Sequence, residues 1–325
     1  MRHAICVLIA AGALLLSSCG QKPPARAKGG KFRVVATIFP LADAARQVGG
    51  RHAEVVTLLR PGVSAHDYTA TPADAQALAQ ADLLLMVGLG LDDWAEQAGR
   101  STAGKKLRVY RMSDSDSGVA GVSPASGPAT TATAAAAPVK HDADEQDEHD
   151  AHAHAGDPHL WLDPLRMRQY VLCLAGVLGE LDPAHAADYH ANATVYAAQI
   201  EQLDAEYRQR LAPCKGRAFA SFHPAFTYLA DRYGLEQIGL QRTGEAGLTP
   251  AQLEKVAQFI RQKNVKVIFT EPQFPSERLA RLAELTGTRI GTLDPLGNPG
   301  QSGYDNYLAM MRSNLAQLEQ GLAGR

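Results

Sequence analysis

The chain has 325 residues, a formal net charge of −2 and an apolar fraction of 46%. That length leaves room for about two domains of roughly 150 residues each, and the apolar fraction is that of an ordinary globular protein. The near-neutral balance, with Lys and Arg scattered and no basic stripe, argues against a nucleic-acid partner.

The first element is a leader. Arg2 and His3 give a basic start, and residues 4–16 form an apolar run shorter than the ~20 residues of a membrane span. Leu16-Ser17-Ser18-Cys19-Gly20 follows. A basic start, a brief apolar core and small residues before a break mark a secretory signal over residues 1–18. Cys19 sits where the bacterial lipobox, which this stretch resembles, carries its acylated cysteine. The plainer alternative is a cleaved signal with an incidental Cys. Gln21 to Arg26 reads as flexible, so residues 19–31 are expected to be a lipid-anchored tether and the protein to be exported to the cell envelope or periplasm. Nothing after it is apolar enough to span a membrane. Past Cys19 the chain holds only Cys173 and Cys214. Export permits a disulfide between them, while the apolar run Tyr170–Leu178 around Cys173 equally suits a buried free thiol.

The pattern then alternates. Lys31–Ile38 reads as a strand. Pro40 opens a helix to about Val48, stopped by Gly49-Gly50. Glu54–Leu59 is a second strand, with a turn at Arg60-Pro61-Gly62. Thr71-Pro72-Ala73-Asp74 opens another helix, with its cap before a first-turn Pro. Asp82–Val87 is a continuous apolar strand of the kind buried on both faces of a parallel sheet. Strands separated by helices imply βαβ units. The alternation breaks between about residues 113 and 155. There Ser, Gly, Ala, Thr and Pro give way to the tract 140–154, rich in His and acids. This composition buries too little apolar surface to order itself, so the stretch is expected to be a long disordered loop.

A helix is predicted from Pro164 to Glu180. Pro183 then starts a longer one with no Gly and no further Pro as far as Leu211. Tyr189, Ala193, Tyr196, Ile200, Leu203, Tyr207 and Leu211 recur at spacings of three and four, one apolar stripe. At 1.5 Å per residue such a helix spans roughly 43 Å and can bridge two domains. Further strands are expected at Gly216–Phe222, Leu235–Leu240, Val265–Phe269 and Arg289–Leu293. Further helices are expected at Pro224–Arg232, Pro250–Gln262, Ser276–Leu285 and Tyr304–Gln320. The fold class is thus α/β, two lobes each with a mostly parallel sheet flanked by helices: residues 32–182, a linker helix 183–212, and residues 213–325. Ile38-Phe39-Pro40-Leu41-Ala42 and Phe222-His223-Pro224-Ala225-Phe226, each after the first strand of its half, suggest a faint internal repeat.

Four residues stand at strand ends or in irregular stretches: His66, His159, His223 and Asp294. In open α/β sheets ligands bind outside the carboxyl ends of strands, and three imidazoles with one carboxylate suit tetrahedral zinc. Singly, each reads more simply as a turn or cap residue. Together with their surroundings they resemble a known family. The motifs are Thr37-Ile38-Phe39-Pro40-Leu41, Pro61-Gly62 through His66-Asp67-Tyr68, Asp157-Pro158-His159-Leu160-Trp161-Leu162-Asp163-Pro164, Phe222-His223-Pro224-Ala225-Phe226, Thr270-Glu271-Pro272-Gln273-Phe274 and Leu293-Asp294-Pro295. They are similar to those of the metal-specific solute-binding proteins of ABC importers, the zinc, manganese and iron receptors, and most of all its zinc-type lipoproteins. The resemblance implies two lobes joined by one long rigid helix with the metal, Zn2+, between them on His66, His159, His223 and Asp294. It implies an importer permease as partner and a receptor rather than an enzyme. The third ligand tends to be Glu in manganese receptors and His in zinc receptors, and here it is His223. Some zinc receptors place Glu before the first ligand; here Ala65 stands there, so Asp294 or a water must complete the site.

Zinc receptors of this kind often carry a histidine-acid insert, which matches His141, His149, His152 and His154. That tract is expected to bind metal weakly, since ordering it costs entropy, or else to be a solvated linker. Glu271 is either a carboxylate orienting a ligand His or a turn former. Trp161 and Tyr68 read as packing around the site, Asp163 as a helix cap and Asp67 as a turn former. The protein is expected to act as a monomer. A manganese or iron receptor or adhesin of the same fold, and a zinc hydrolase, are the competing readings. Against the last, the chain has no His-Glu-x-x-His and no Gly-x-Ser-x-Gly.

Overall fold

The computed structural model describes residues 31–101, 107–115, 156–240, 250–274 and 277–323. The leader, Cys19, nearly all of the tether and His141, His149, His152 and His154 lie outside the described residues. Strands β1 (Phe32–Ala36), β2 (Ala53–Thr57), β3 (Leu83–Met86) and β4 (Arg108–Arg111) form one sheet in the order β2-β1-β3-β4. Strands β5 (Ala218–Ser221), β6 (Glu236–Gly239), β7 (Val267–Thr270) and β8 (Arg289–Thr292) form a second in the order β6-β5-β7-β8. All these pairings are parallel, and the two sheets have the same order, so the faint repeat in the sequence is a repeat of topology.

Parallel neighbours need crossovers. Helices α1 (Phe39–Gly49), α2 (Pro72–Gln80) and α3 (Asp93–Ser101) supply them in the first lobe, and α7 (Thr227–Tyr233), α8 (Pro250–Gln262) and α9 (Glu277–Thr286) in the second. Thr71 caps α2 in a reciprocal box with Asp74, so two free N–H groups are satisfied at once. Helix α3 and strand β4 have no counterpart in the sequence reading. The helix is mostly polar with a Gly near its end, and the strand is a short edge rather than an apolar run. A short helix, α4 (Met112–Ser115), also occupies the start of the stretch expected to be loop. In the second lobe α7 begins three residues later than the expected Pro224, because Ser221 Oγ donates to His223 O at 2.8 Å and holds the intervening turn.

Alternate strand residues face opposite cores. Val34, Ala36, Leu83 and Leu85 point into one cluster, and Val35, Leu84 and Met86 into another with Leu78 of α2 and Ala95 of α3. In the second sheet Phe219, Val267 and Phe269 point inward, while Ala220, Ile238 and Ile268 meet Ile260 of α8 and Leu282 of α9. The inner cluster is continuous across both lobes. Helices α5 (Pro164–Leu181), α6 (Ala186–Leu211) and α10 (Tyr307–Leu322) fill its middle.

Helix α6, preceded by a 3-10 turn at Pro183–His185, is the expected linker, and all seven residues of its stripe are buried. Its first half docks on the first lobe, where Asn192 Nδ2 donates to Val48 O at 3.0 Å. Its second half docks on α10, where Tyr207 Oη donates to Met311 O and Arg312 Nη2 pairs with Glu206 Oε1 at 2.9 Å. Asp43 of α1 joins all three: its Oδ2 accepts from Tyr196 Oη of α6 and from the backbone N–H of Tyr307, both at 3.0 Å. Cys173 and Cys214 are free thiols. Among the described residues no helix is long and apolar enough to cross a membrane.

Asp43→Ala would strand a buried hydroxyl and a buried N–H. We expect it to lower stability by roughly 2–3 kcal/mol, read from the urea midpoint of the metal-free protein. A change below about 0.5 kcal/mol, the size of an ordinary surface substitution, would show that the junction is dispensable.

Candidate metal centre

Because each sheet is parallel, its loops toward the next helices leave from one edge. His66 follows β2, His223 follows β5, Glu271 follows β7 and Asp294 follows β8. The chain leaves β2 through Gly62, whose φ of +78° is one that only glycine adopts without strain. His66 N then donates to Ser64 Oγ at 3.3 Å. His159 is the residue before the 3-10 turn Leu160–Leu162, which leads into α5 through Asp163, whose side chain caps that helix on Leu165 N at 2.8 Å. The expected cap role of Asp163 is thus observed.

The three histidines meet. One ligand nitrogen from each lies within 4.8 Å of the others, and among the described residues no other His, Cys, Asp or Glu group gathers in this way. His66 Nε2 and His159 Nε2 are 3.2 Å apart. The His223 ring centroid is 4.7 Å from that of His66 and 4.8 Å from that of His159. His159 and His223 are 5% and 7% exposed, and His66 is half-buried. His66 belongs to the first lobe and His223 to the second, so the cluster straddles the gap between them.

Two of the rings have a carboxylate at the far nitrogen. Asp157 Oδ1 lies 2.7 Å from His159 Nδ1 and accepts the His159 backbone N–H at 3.0 Å. Burial pushes the Asp157 carboxyl up, but the charge of His159 and its two hydrogen bonds outweigh that and hold it below the ordinary value. With Nδ1 so occupied, Nε2 is the lone pair of His159 that faces the cluster. Glu271 Oε1 lies 3.3 Å from His223 Nδ1, while Glu271 O closes a turn on Phe274 N at 2.9 Å, so both expected roles of Glu271 have a contact. Asp157 was not singled out in the sequence. Its only signal is a carboxylate two residues before a candidate ligand, a spacing shared with common turns.

Asp294 is placed differently. It is not part of the close set, and its Oδ1 accepts from Leu296 N and Gly297 N at 2.9 Å each. Asn314 of α10 clamps its peptide, accepting from Asp294 N at 2.8 Å and donating to Asp294 O at 2.7 Å. Burial raises its carboxyl, against those two N–H groups. Asp294 lines a cavity of about 250 Å³ with Pro61 and Gly62 of the first lobe and Gln273 of the second. Trp161 packs beside His159, and its Nε1 donates to Pro295 O at 2.6 Å. Tyr68 is committed to the α2 cap, its hydroxyl donating to Asp74 at 2.7 Å. Both aromatic residues therefore pack, as expected.

Burial pushes the His66 imidazole down to about 3, the positive charges that His159 and His223 would carry push the same way, and Asp157 opposes them. The ring is thereby kept neutral, the form that binds a metal. Three imidazoles at this spacing offer a nitrogen-rich, low-coordinate site that fits zinc.

The profile of the family described as "Zinc-uptake complex component A periplasmic" matches residues 34–321. The high-affinity zinc uptake system protein ZnuA of Bacillus subtilis is 31% identical over 327 residues, covering 97% of this chain and 96% of that protein. The zinc-binding protein AdcA of Streptococcus pyogenes is 28% identical over 294 residues, 89% of this chain but 56% of the relative, so the chain spans little more than half of that protein. Among solved structures, the periplasmic zinc-binding protein TroA of Treponema pallidum superposes with a TM-score of 0.72 at 25% identity, covering 90% of this chain and 99% of that one.

The His66 environment has a consequence for stability. Its folded value of about 3 lies below the ~6.5 of an unfolded histidine. Between those values the unfolded chain binds more protons, so stability is fully present above pH ~6.5 and declines as pH falls towards 3. We expect His66→Gln to flatten part of that decline in the metal-free protein. Equal slopes for both proteins in urea titrations from pH 7 to 4 would rule this out.

Proposed function

The chain belongs to the family of periplasmic zinc-uptake component A proteins, and on that premise we propose that it captures Zn2+ in the cell envelope and delivers it to the permease of an ABC-type importer. The observation that carries this reading is the gathering of His66, His159 and His223 from both lobes, with ligand atoms within 4.8 Å of one another. Zinc, the cargo, is borderline-soft and accepts imidazole nitrogen readily, whereas manganese prefers carboxylate and water oxygens. The three histidines hold the ion, and Asp294 or a water supplies a fourth ligand from the inter-lobe cavity.

Ligands from two lobes suit a carrier. An ion held between the lobes is secured by residues of both, with no chemistry at the metal. A hydrolytic zinc instead needs an open position for water and a nearby general base. Here the carboxylates by the rings, Asp157 and Glu271, face ring nitrogens. Anchoring through Cys19 keeps the receptor at the membrane beside its permease, and the residues around His141, His149, His152 and His154 add weaker binding.

Competition titrations against zinc and manganese test this reading. The wild-type protein should hold one zinc tightly, with further weak sites that vanish when residues 141–154 are deleted. His223→Glu should weaken zinc and narrow its advantage over manganese, while His223→Ala should weaken zinc at least as much with no gain for manganese. An unchanged zinc-to-manganese ratio in His223→Glu would remove His223 from the metal and with it the main support for zinc. For the anchor, the intact mass of the membrane-bound form should show acyl chains on Cys19, and Cys19→Ser should release the protein; an unmodified N-terminus would count against it.

A further inference from the structure

Glu271 is 1% exposed. Its Oε2 accepts a hydrogen bond from Gln273 Nε2. Its Oε1, 3.3 Å from His223 Nδ1, has no hydrogen-bond partner among the described residues. A buried carboxylate oxygen without a donor is costly, and the nearby group able to relieve it is the His223 ring. With Nδ1 turned to Glu271, Nε2 is the nitrogen left for the metal. An imidazole that gives its Nε2 lone pair to an ion carries its proton on Nδ1. Metal binding therefore fixes the tautomer that supplies Oε1 with its missing donor. His159 and Asp157 are already arranged in this way, at 2.7 Å.

Which Glu271 oxygen faces His223 is decided by Gln273. Residues 271–274 form a turn closed by Phe274 N donating to Glu271 O at 2.9 Å, with Pro272 at the position where turns favour proline. That turn folds the Gln273 side chain back over Glu271. Its amide N–H occupies Oε2 and leaves Oε1 for the ring. Gln273 also lines the inter-lobe cavity beside Asp294, with Pro61 and Gly62 of the opposite lobe, so it stands between that cavity and the pair behind the metal.

We infer that Gln273 is a positioning residue for zinc: by holding Glu271 Oε2 it presents Oε1 to His223 Nδ1 and so sets the tautomer and orientation of a zinc ligand it does not touch. The inference rests on the zinc reading above. Changes to residues that orient a metal ligand typically cost 10- to 100-fold in metal affinity. Zinc dissociation constants of the purified protein and of Gln273→Ala, Glu271→Gln and the double variant, measured against a chromophoric chelator, form a mutant cycle. Gln273→Ala should weaken zinc about 10-fold with an unchanged urea midpoint of the metal-free protein, and should shift the visible absorption bands of bound Co2+. The double variant should bind no more weakly than Glu271→Gln alone, because Gln273 acts through Glu271. Wild-type zinc affinity in Gln273→Ala, or effects that multiply in the double variant, would overturn the inference and leave the zinc reading standing. Failure of the unsubstituted protein to hold zinc tightly would overturn both. Should Glu271→Gln not fold, the Co2+ spectrum of Gln273→Ala decides alone, and an unshifted spectrum refutes the inference.

Discussion

The carboxylate of Asp43 lies buried where helices of both lobes meet the linker, accepting from Tyr196 Oη on α6 and from Tyr307 N at the start of α10. Its charge also sits at the N-terminal end of α10, where a helix favours an anion. One side chain of the first lobe is thus bound to the linker and to the second lobe together. Around it the apolar cluster runs unbroken from Val34 and Leu83 through Tyr196 and Ile200 to Phe219 and Tyr307. The lobes are consequently two sheets on one shared core, and their relative placement is set by close packing rather than by a hinge of few contacts.

The candidate metal centre depends on that placement. His66 comes from one lobe and His223 from the other, and a site of imidazoles tolerates little error in ligand position. The segment 157–163 works in the same direction. Its Trp161 indole reaches Pro295 of the second lobe, Tyr307 Oη donates to Trp161 O at 2.8 Å, and Tyr228 Oη donates to Asp157 O at 3.0 Å. His159 therefore rides on a strap bonded to the second lobe, although it directly precedes the helices of the first half. Asp157, on the same strap, orients the ring it carries.

Polar groups behind the candidate ligands complete the arrangement. Asn314 of α10 holds the Asp294 peptide, and Asp92 of the first lobe gathers Thr37 Oγ1 and the Val87 and Gly88 N–H groups at the ends of β1 and β3. These contacts tie the carboxyl ends of β1 and β3 to each other and the loop after β8 to α10. Glu271 Oε1, beside the His223 ring, is one of the buried side-chain atoms with no hydrogen-bond partner among the described residues.

Much of this was legible in the sequence. The apolar run Asp82–Val87 and the stripe from Tyr189 to Leu211 are local patterns, so the strand β3 and the linker helix follow from periodicity alone, and the DPHLW and FHPAF segments mark two of the three histidines through their neighbours. Helix α3 and strand β4 were not legible, because a polar surface helix and a short edge strand carry little periodic signal. Nor was the exclusion of Asp294 from the close set, since a strand-end carboxylate reads the same whether its oxygens face a metal or the Leu296 and Gly297 N–H groups. Which residue types could bind a metal is written in the chain. Which carboxylate stands behind which ring, Asp157 behind His159 and Glu271 behind His223, depends on how two lobes close over one core, and only the tertiary structure decides it.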